Sequence, residues 1–366
     1  MPDSPKPQVK SFSLSKTVIY SLVPLVVLLL ILEVGIRLVY YQMYASYPLA
    51  LEGAYEELKG RLARLASQRE VKRLGDELGL DQGQGVNLFA PEGAELLAHF
   101  ENLYEQSFDR LVAAVNKAGA KLLVLYIPSD FTKDSRKAQH CRSFFQRLSA
   151  RHRLDFVDVT RSFAQYPVEV VSFLPQNAHL SRFGNRLVAE ELSPYVRKYS
   201  HYRMPTTFKE RPKIFGDLRP GENKDWLYIP SMPYRVVVNS QGLRMDYDLK
   251  FPKKKQRLLC LGDSFTFGPY LPNHDTFPGL LQQKFPDKEV INAGICGYNI
   301  ADELSLFQHR AQYCEPDMVI LQVLDNDLGD FYYLRRRLFA RDPRAYAPSE
   351  PEMRYLTRHK SKEKAQ

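Results

Sequence analysis

The stretch CLGDSFTFG, Cys260 to Gly268, reads as a buried strand that breaks into a tight turn and lifts one serine, Ser264, out of a sheet. A serine hydroxyl is a weak nucleophile until a positioned imidazole takes its proton, so Ser264 raises the question of its base. Three histidines follow it. His274 lies in the loop-like LPNHDTF, His309 falls inside the helical run ADELSLFQHRAQYC, and His359 sits in a basic tail. Each reads as structural or solvated, and the base has to come from upstream.

The elements around Ser264 follow a regular grammar. RLLCLG is a strand, 276–285 a helix, EVINAG a strand, 300–313 a helix and DMVILQVL a strand. Three strand ends carry polar or turn residues: Ser264, then Gly297 in NAGICGYN, then Asn326 in LDNDLGD. Carboxyl ends of parallel strands are where open α/β sheets form their ligand crevices.

Upstream the same grammar appears. Residues 95–118 read as a helix with Gly119 as its stop, KLLVLYIP (Lys121 to Pro128) as a buried strand, 138–151 as a helix and LDFVDVT as a second strand. AHLSRFGNRLVAEEL follows as a helix capped by Ser181. Such alternation implies a parallel sheet with helices on both faces. Residues 198–256 break the rhythm. They are rich in Pro, Tyr and basic residues, hold one hairpin-like piece, YRVVVNSQGLR, and read as a long connection packed on the domain surface.

The segment from Val237 to Asp330 resembles the first half of an SGNH (GDSL) hydrolase, whose motif residues are a Ser, a Gly, an Asn and a His. GDS, NAGICGYN and PDMVILQVLDND occur in that order, behind an apolar run ending LEVGIRLV. Residues 95–197 resemble the family's second half, down to NAHLSRFGNRLVAEEL, where His179 matches the family's histidine at the start of the last helix. The resemblance therefore implies a three-layer, flavodoxin-like α/β fold that is circularly permuted, with the His-bearing half first. It also implies closure within one chain, with the strand Lys121 to Pro128 beside Asp317 to Leu324, against a rival in which half-domains complete each other between chains.

The resemblance assigns roles. Ser264 is the nucleophile and His179 its base. The backbone N–H groups of Ser264 and Gly297, with the Asn326 side-chain amide, form an oxyanion hole. Asp263 and Asp327 read as capping and turn residues, and Cys296 as a small buried thiol. One departure matters: the family's aspartate, two or three residues before the histidine, is replaced here by Asn177 and Gln176, neither of which carries a carboxylate to orient the imidazole. A Ser-His dyad follows from that departure, or a degenerate carbohydrate-binding or scaffold protein.

Composition bounds the rest. With 366 residues, 44% apolar and 25% charged, the chain has room for a large folded domain. Thr17 to Ile36 carries only Glu33 as a charge and is long enough to cross about 30 Å of hydrocarbon, which reads as a transmembrane helix and not a cleaved leader. Lys6, Lys10 and Lys16 precede it, so the short tail is expected in the cytoplasm and the bulk outside it, in the periplasm of a Gram-negative host. Residues 331–366 hold ten Lys or Arg against four Asp or Glu, out of a net charge of +9, which suggests a tail resting on anionic lipid. The expected organisation is tail 1–16, membrane helix 17–40, helical spacer 41–82, domain 83–335 (83–197, 198–256 and 257–335) and basic tail 336–366. No metal-ligand spacing, phosphate loop or nucleic-acid motif is present in the sequence, and no cofactor is expected. The four cysteines, Cys141, Cys260, Cys296 and Cys314, could make two disulfides outside the cytoplasm, but with Cys260 on a core strand and Cys296 in a tight glycine-rich turn, buried free thiols are the expected state. The expectation is a membrane-anchored extracytoplasmic esterase or deacylase acting on a small ester or an acylated envelope polysaccharide, or an O-acyltransferase using the same residues.

Overall fold

Successive residues of a strand point to opposite faces, so short runs that are apolar at nearly every position need cover on both sides. The computed structural model describes residues 93–129, 135–174, 177–202, 208–226 and 234–328, together with Val27, Ile31 and Phe89. It meets that need with a five-stranded parallel sheet flanked by helices.

Helix α1 (Ala94–Lys117) turns through Gly119, at φ 74°, into strand β1 (Lys121–Ile127). Helix α2 (Arg136–Arg151), capped by the Ser135 side chain, precedes β2 (Asp155–Asp158). Two single-turn helices, α3 (Thr160–Phe163) and α4 (Val168–Val171), lead to an antiparallel pair, β3 (Ser172–Phe173) and β4 (Asn177–Leu180). Ser181 then caps α5 (Arg182–Lys198) through a bond from the Gly184 N–H. A second antiparallel pair, β5 (Asn223–Trp226) and β6 (Tyr234–Val237), separates this part from β7 (Gln256–Leu261). The single-turn helix α6 (Ser264–Phe267), α7 (Phe277–Lys284), β8 (Lys288–Asn292), α8 (Ile300–His309) and β9 (Met318–Leu324) follow.

The sheet order is β2-β1-β9-β7-β8, parallel throughout. β1 lies against β9 along its whole length, from Lys121 opposite Met318 to Ile127 opposite Leu324. One chain therefore closes the sheet on itself. Counted from β7 as the first strand, the order becomes 2-1-3-4-5, the flavodoxin-like order.

Alternation along the strands builds two cores. Leu122, Val124 and Tyr126 of β1 join Val319, Leu321 and Val323 of β9 under the aromatic faces of α1 and α2, including Phe100, Phe108, Phe144 and Phe145. Leu123, Leu125 and Ile127 point the other way, with Met318, Ile320 and Leu324, toward Val188 and Leu192 of α5 and Phe277 and Leu281 of α7. All seven residues of β9 are buried, and truncating a central Leu to Ala there costs about 2–5 kcal/mol.

Three readings of the sequence are corrected. YRVVVNSQGLR forms no hairpin of its own: β6 pairs with β5, which precedes it. The Asn239 side chain folds the following turn onto itself, its Oδ1 accepting from the N–H groups of Gln241 and Leu243 at 3.0 Å each. Nor is 198–256 only a surface connection, since Phe215, Leu243, Met245 and Leu249 enter the main core and Arg244 is fully buried. The run 300–313 is also divided, with α8 ending at His309 and a 3₁₀ turn (Ala311–Cys314) following it.

The N-terminal tail, the membrane run, the spacer 41–82 and the basic tail 336–366 lie outside the described residues, apart from Val27 and Ile31, which are helical and exposed. Among the described residues, no helix is long and apolar enough to cross a membrane.

Candidate active site

The position of Ser264 follows from the backbone. β7 is buried at all six positions and ends at Gly262, whose φ of 155° and close surroundings exclude a side chain. A Cβ there would collide with Thr266 Oγ1 and Gln322 Oε1. Gln322, on β9, fastens the turn that follows: its Oε1 accepts from the Asp263 N–H at 3.3 Å and the Thr266 hydroxyl at 3.0 Å. Asp263 caps α6, accepting from the Phe265 N–H at 2.9 Å. Ser264 is thereby held as the first residue of α6, partly open to solvent.

His179 reaches the serine from outside the main sheet. His179, on β4, brings Nε2 to 2.8 Å from Ser264 Oγ. Its Nδ1 stands 2.5 Å from Asn177 Oδ1, which also accepts from the His179 backbone N–H at 3.0 Å. A carbonyl oxygen can only accept, so the ring proton belongs on Nδ1, and Nε2 keeps its lone pair for the serine hydroxyl. The other end of the amide, Asn177 Nδ2, donates to the Tyr270 hydroxyl oxygen at 2.9 Å. Phe265 and Tyr270 pack on the imidazole, at ring-centre distances of 5.1 and 5.8 Å. Burial pushes the His179 pKa down to about 4.

The remaining sequence candidates lie at the same end of the sheet. β9, β7 and β8 are consecutive neighbours, so the turns after them carry Asn326, Ser264 and Gly297 side by side. Gly297 is exposed and takes φ 79°. Asn326 is half-buried, and its Oδ1 has no hydrogen-bond partner among the described residues. Gln176 lies outside the described residues. Asp263 is a cap, and Asp327 accepts a bond from the Tyr104 hydroxyl at 3.2 Å. His274 and His309 are exposed on the surface, and His359 is not described.

Cys141, Cys260 and Cys314 are buried free thiols, but Cys296 is exposed and not the buried thiol expected. The turn that reverses at Gly297 carries it beyond the end of β8. Its pKa is raised to about 11, first by desolvation and then by Asp263, so it rests as a thiol and is a poor nucleophile.

Two residues of the site have no motif that announces them. Tyr270 follows the nucleophile turn in GPYLPN, where an aromatic beside Gly and Pro reads as an ordinary loop residue. Arg244 lies in the segment read as a connection. Only 2% exposed, it donates through Nη1 to the carbonyls of Phe267 and Gly268, through Nη2 to that of Leu271 and through Nε to Asn273 Oδ1 at 3.0 Å. It therefore grips the loop that carries Tyr270.

No family model matches the chain, and no curated protein matches it significantly. Among solved structures, the chain is similar to the O-acetyltransferase domain of Pseudomonas putida AlgJ, at 15% identity over 65% of this chain and 86% of that one, with a TM-score of 0.43. It is also similar to Bacillus cereus PatB1, solved with a sulfonyl adduct, at 12% identity over 62% and 88% of the two chains, with a TM-score of 0.35. At these values neither neighbour assigns a function, which has to be read from the site's own geometry.

Proposed function

We propose that this chain is an SGNH-type serine enzyme that cleaves esters through an acyl-enzyme, working as an esterase or deacylase. The observation that carries the reading is the hydrogen-bonded series Ser264 Oγ, His179 Nε2, His179 Nδ1 and Asn177 Oδ1 at the carboxyl end of a parallel sheet. Ser264 Oγ attacks the ester carbonyl as its proton passes to His179 Nε2. The carbonyl oxygen gains the negative charge and is met by the N–H groups of Ser264 and Gly297 and by the Asn326 amide. The bond to the alcohol breaks as His179 returns the proton to it, leaving the acyl group on Ser264. Water then attacks, giving its proton to His179, and the carboxylic acid leaves as Ser264 takes that proton back.

If a sugar hydroxyl replaces water in the second step, the same residues perform O-acyl transfer. The acyl-enzyme is common to both outcomes, and the acceptor alone separates them. The missing carboxylate favours a second class of function, carbohydrate binding by a degenerate site. Against it stands the intact geometry of Ser264 and His179.

We further propose that the chain is a circular permutation of the SGNH arrangement, a reading supported by the 2-1-3-4-5 order obtained when counting starts at β7. The apolar run Thr17 to Ile36 supports anchoring in a membrane, with the domain on the extracytoplasmic side and O-acylated envelope polysaccharide as its substrate class. The deciding experiment is hydrolysis of p-nitrophenyl acetate, with intact mass measured after a rapid quench. Ser264-dependent turnover and an acetylated enzyme are expected. Equal rates for the wild type and Ser264→Ala, with no acetyl adduct, establish the binding reading instead.

A further inference from the structure

We propose that Tyr270 is a positioning residue that anchors the far end of the Asn177 amide, whose direction the His179 backbone N–H selects, and so keeps the amide oxygen on His179 Nδ1, which lets an asparagine perform the tautomer-fixing part of an aspartate's role. The inference rests on the acyl-enzyme reading and deepens it. A carboxylate offers an acceptor whichever way it turns, whereas an amide has an acceptor end and a donor end of nearly the same shape. With the amide reversed, its NH₂ would face Nδ1, the ring proton would move to Nε2, and the lone pair that Ser264 needs would be gone. In a serine protease, the change from aspartate to asparagine costs on the order of 10⁴ in turnover through that wrong tautomer.

One contact sets the direction of the amide here, and a second, to a hydroxyl that can accept or donate, anchors it. The backbone N–H of His179 can only donate, and at 3.0 Å it selects the oxygen. The Tyr270 hydroxyl accepts from Nδ2 at 2.9 Å and so satisfies the opposite end, which would otherwise be left half-buried without an acceptor. Tyr270 is itself held firmly. It takes φ 67°, an uncommon backbone state for a tyrosine, in a loop whose carbonyls are gripped by Arg244. Its ring packs edge-on against Phe173 and Tyr234 at 5.8 and 5.7 Å, and the residue is 7% exposed. Asn177 and His179 belong to the first half of the domain, and Tyr270 and Ser264 to the second. The tyrosine hydroxyl is thus a tie across the site, 93 positions from its partner.

The test is a double-mutant cycle of Tyr270→Phe and Asn177→Asp in the full chain, with p-nitrophenyl acetate as probe. Tyr270→Phe keeps the ring packing and is expected to lower kcat about tenfold with KM unchanged. In the Asn177→Asp background, the same change is expected to cost less than about twofold, because a carboxylate cannot be reversed. Equal losses in both backgrounds mean that the tyrosine only packs, and they overturn the proposal. A readout independent of turnover is the histidine ¹⁵N spectrum. The Nδ1–H tautomer of His179 is expected in the wild type and a mixture in Tyr270→Phe, and an unchanged spectrum also overturns it. If the wild type shows no Ser264-dependent turnover, the acyl-enzyme reading fails by itself, and the tautomer in the spectrum still decides the role of Tyr270.

Discussion

Ser264 and His179 meet at 2.8 Å, yet they are held by different means. Ser264 rises directly from the central sheet. A buried strand, a glycine that admits no side chain, and an Asp263 cap fix it largely through backbone geometry. His179 sits on a short ladder outside that sheet and is aimed by a series of side chains that runs through Asn177 to Tyr270 and depends on the Arg244 grip on the loop beyond. Ser264 is thus as rigid as the fold, while His179 is open to adjustment by single substitutions that leave the fold intact. A site of this kind can drift in activity at one end and keep its geometry at the other.

The strongest test of that contrast removes each end. Ser264→Ala and His179→Ala are each expected to lower the turnover of p-nitrophenyl acetate by more than about 10⁴, and the double variant by little more than either alone, because the two act as a unit. Multiplying losses in the double variant would show that the pair does not operate together.

The next largest effect is expected at Arg244. Arg244→Met orphans the carbonyls of Phe267, Gly268 and Leu271, at a cost of about 3 kcal/mol in a urea unfolding curve. Activity should fall further than the loss of folded protein explains, since Arg244 holds both the end of α6 at Phe267 and the loop that carries Tyr270. An unchanged unfolding midpoint would show that the loop holds itself.

Asn177→Asp probes the adjustable end alone. Since Asn177 already presents an oxygen to Nδ1, the gain in kcat is expected to be near tenfold, well short of 10⁴. The pH profile is the more telling measurement. With a His179 pKa lowered to about 4, the imidazole stays neutral above about pH 4, and the rate is expected to fall as pH drops through that value. A carboxylate at 177 favours the charged ring, so the acid limb should move to higher pH. Stability carries the same sign: between the ordinary value of 6.5 and about 4, the unfolded chain takes up a proton that the folded site refuses, so stability declines as pH falls across that window. The smallest effect is expected at Cys296→Ala, within about twofold in rate, because a thiol with a raised pKa takes no part in the chemistry.

The parts of this molecule that were legible in its sequence are those written in local pattern. Continuous apolar runs of strand length, Gly119 and Ser181 as stop and cap, and polar residues at successive strand ends gave the α/β architecture and put Ser264, Gly297 and Asn326 at one end of the sheet. The replacement of an acid by Asn177 read as a loss because residue type says nothing of which amide end faces the ring. That is set by a backbone N–H, with a tyrosine far away in sequence anchoring the other end of the amide. Arg244 was hidden for a similar reason, as an arginine in a Pro-rich and Tyr-rich stretch looks solvated until 23 to 27 residues later a loop offers it carbonyls. The supposed hairpin failed because Asn239 satisfies the turn locally and leaves β6 to find its partner upstream.

The pairing of β1 with β9 has a consequence in time. As the chain leaves the ribosome, β2 arrives soon after β1 and covers one of its edges, but Lys121 has to wait for Met318 to cover the other. At about 5–20 residues per second, that delay is roughly ten to forty seconds, during which an apolar strand offers an open edge to any neighbour. Every ribosome translating this message therefore carries, for most of the domain's synthesis, a half-built sheet whose middle is missing. Strand β9, the last of the described strands to emerge, converts it into an enclosed core.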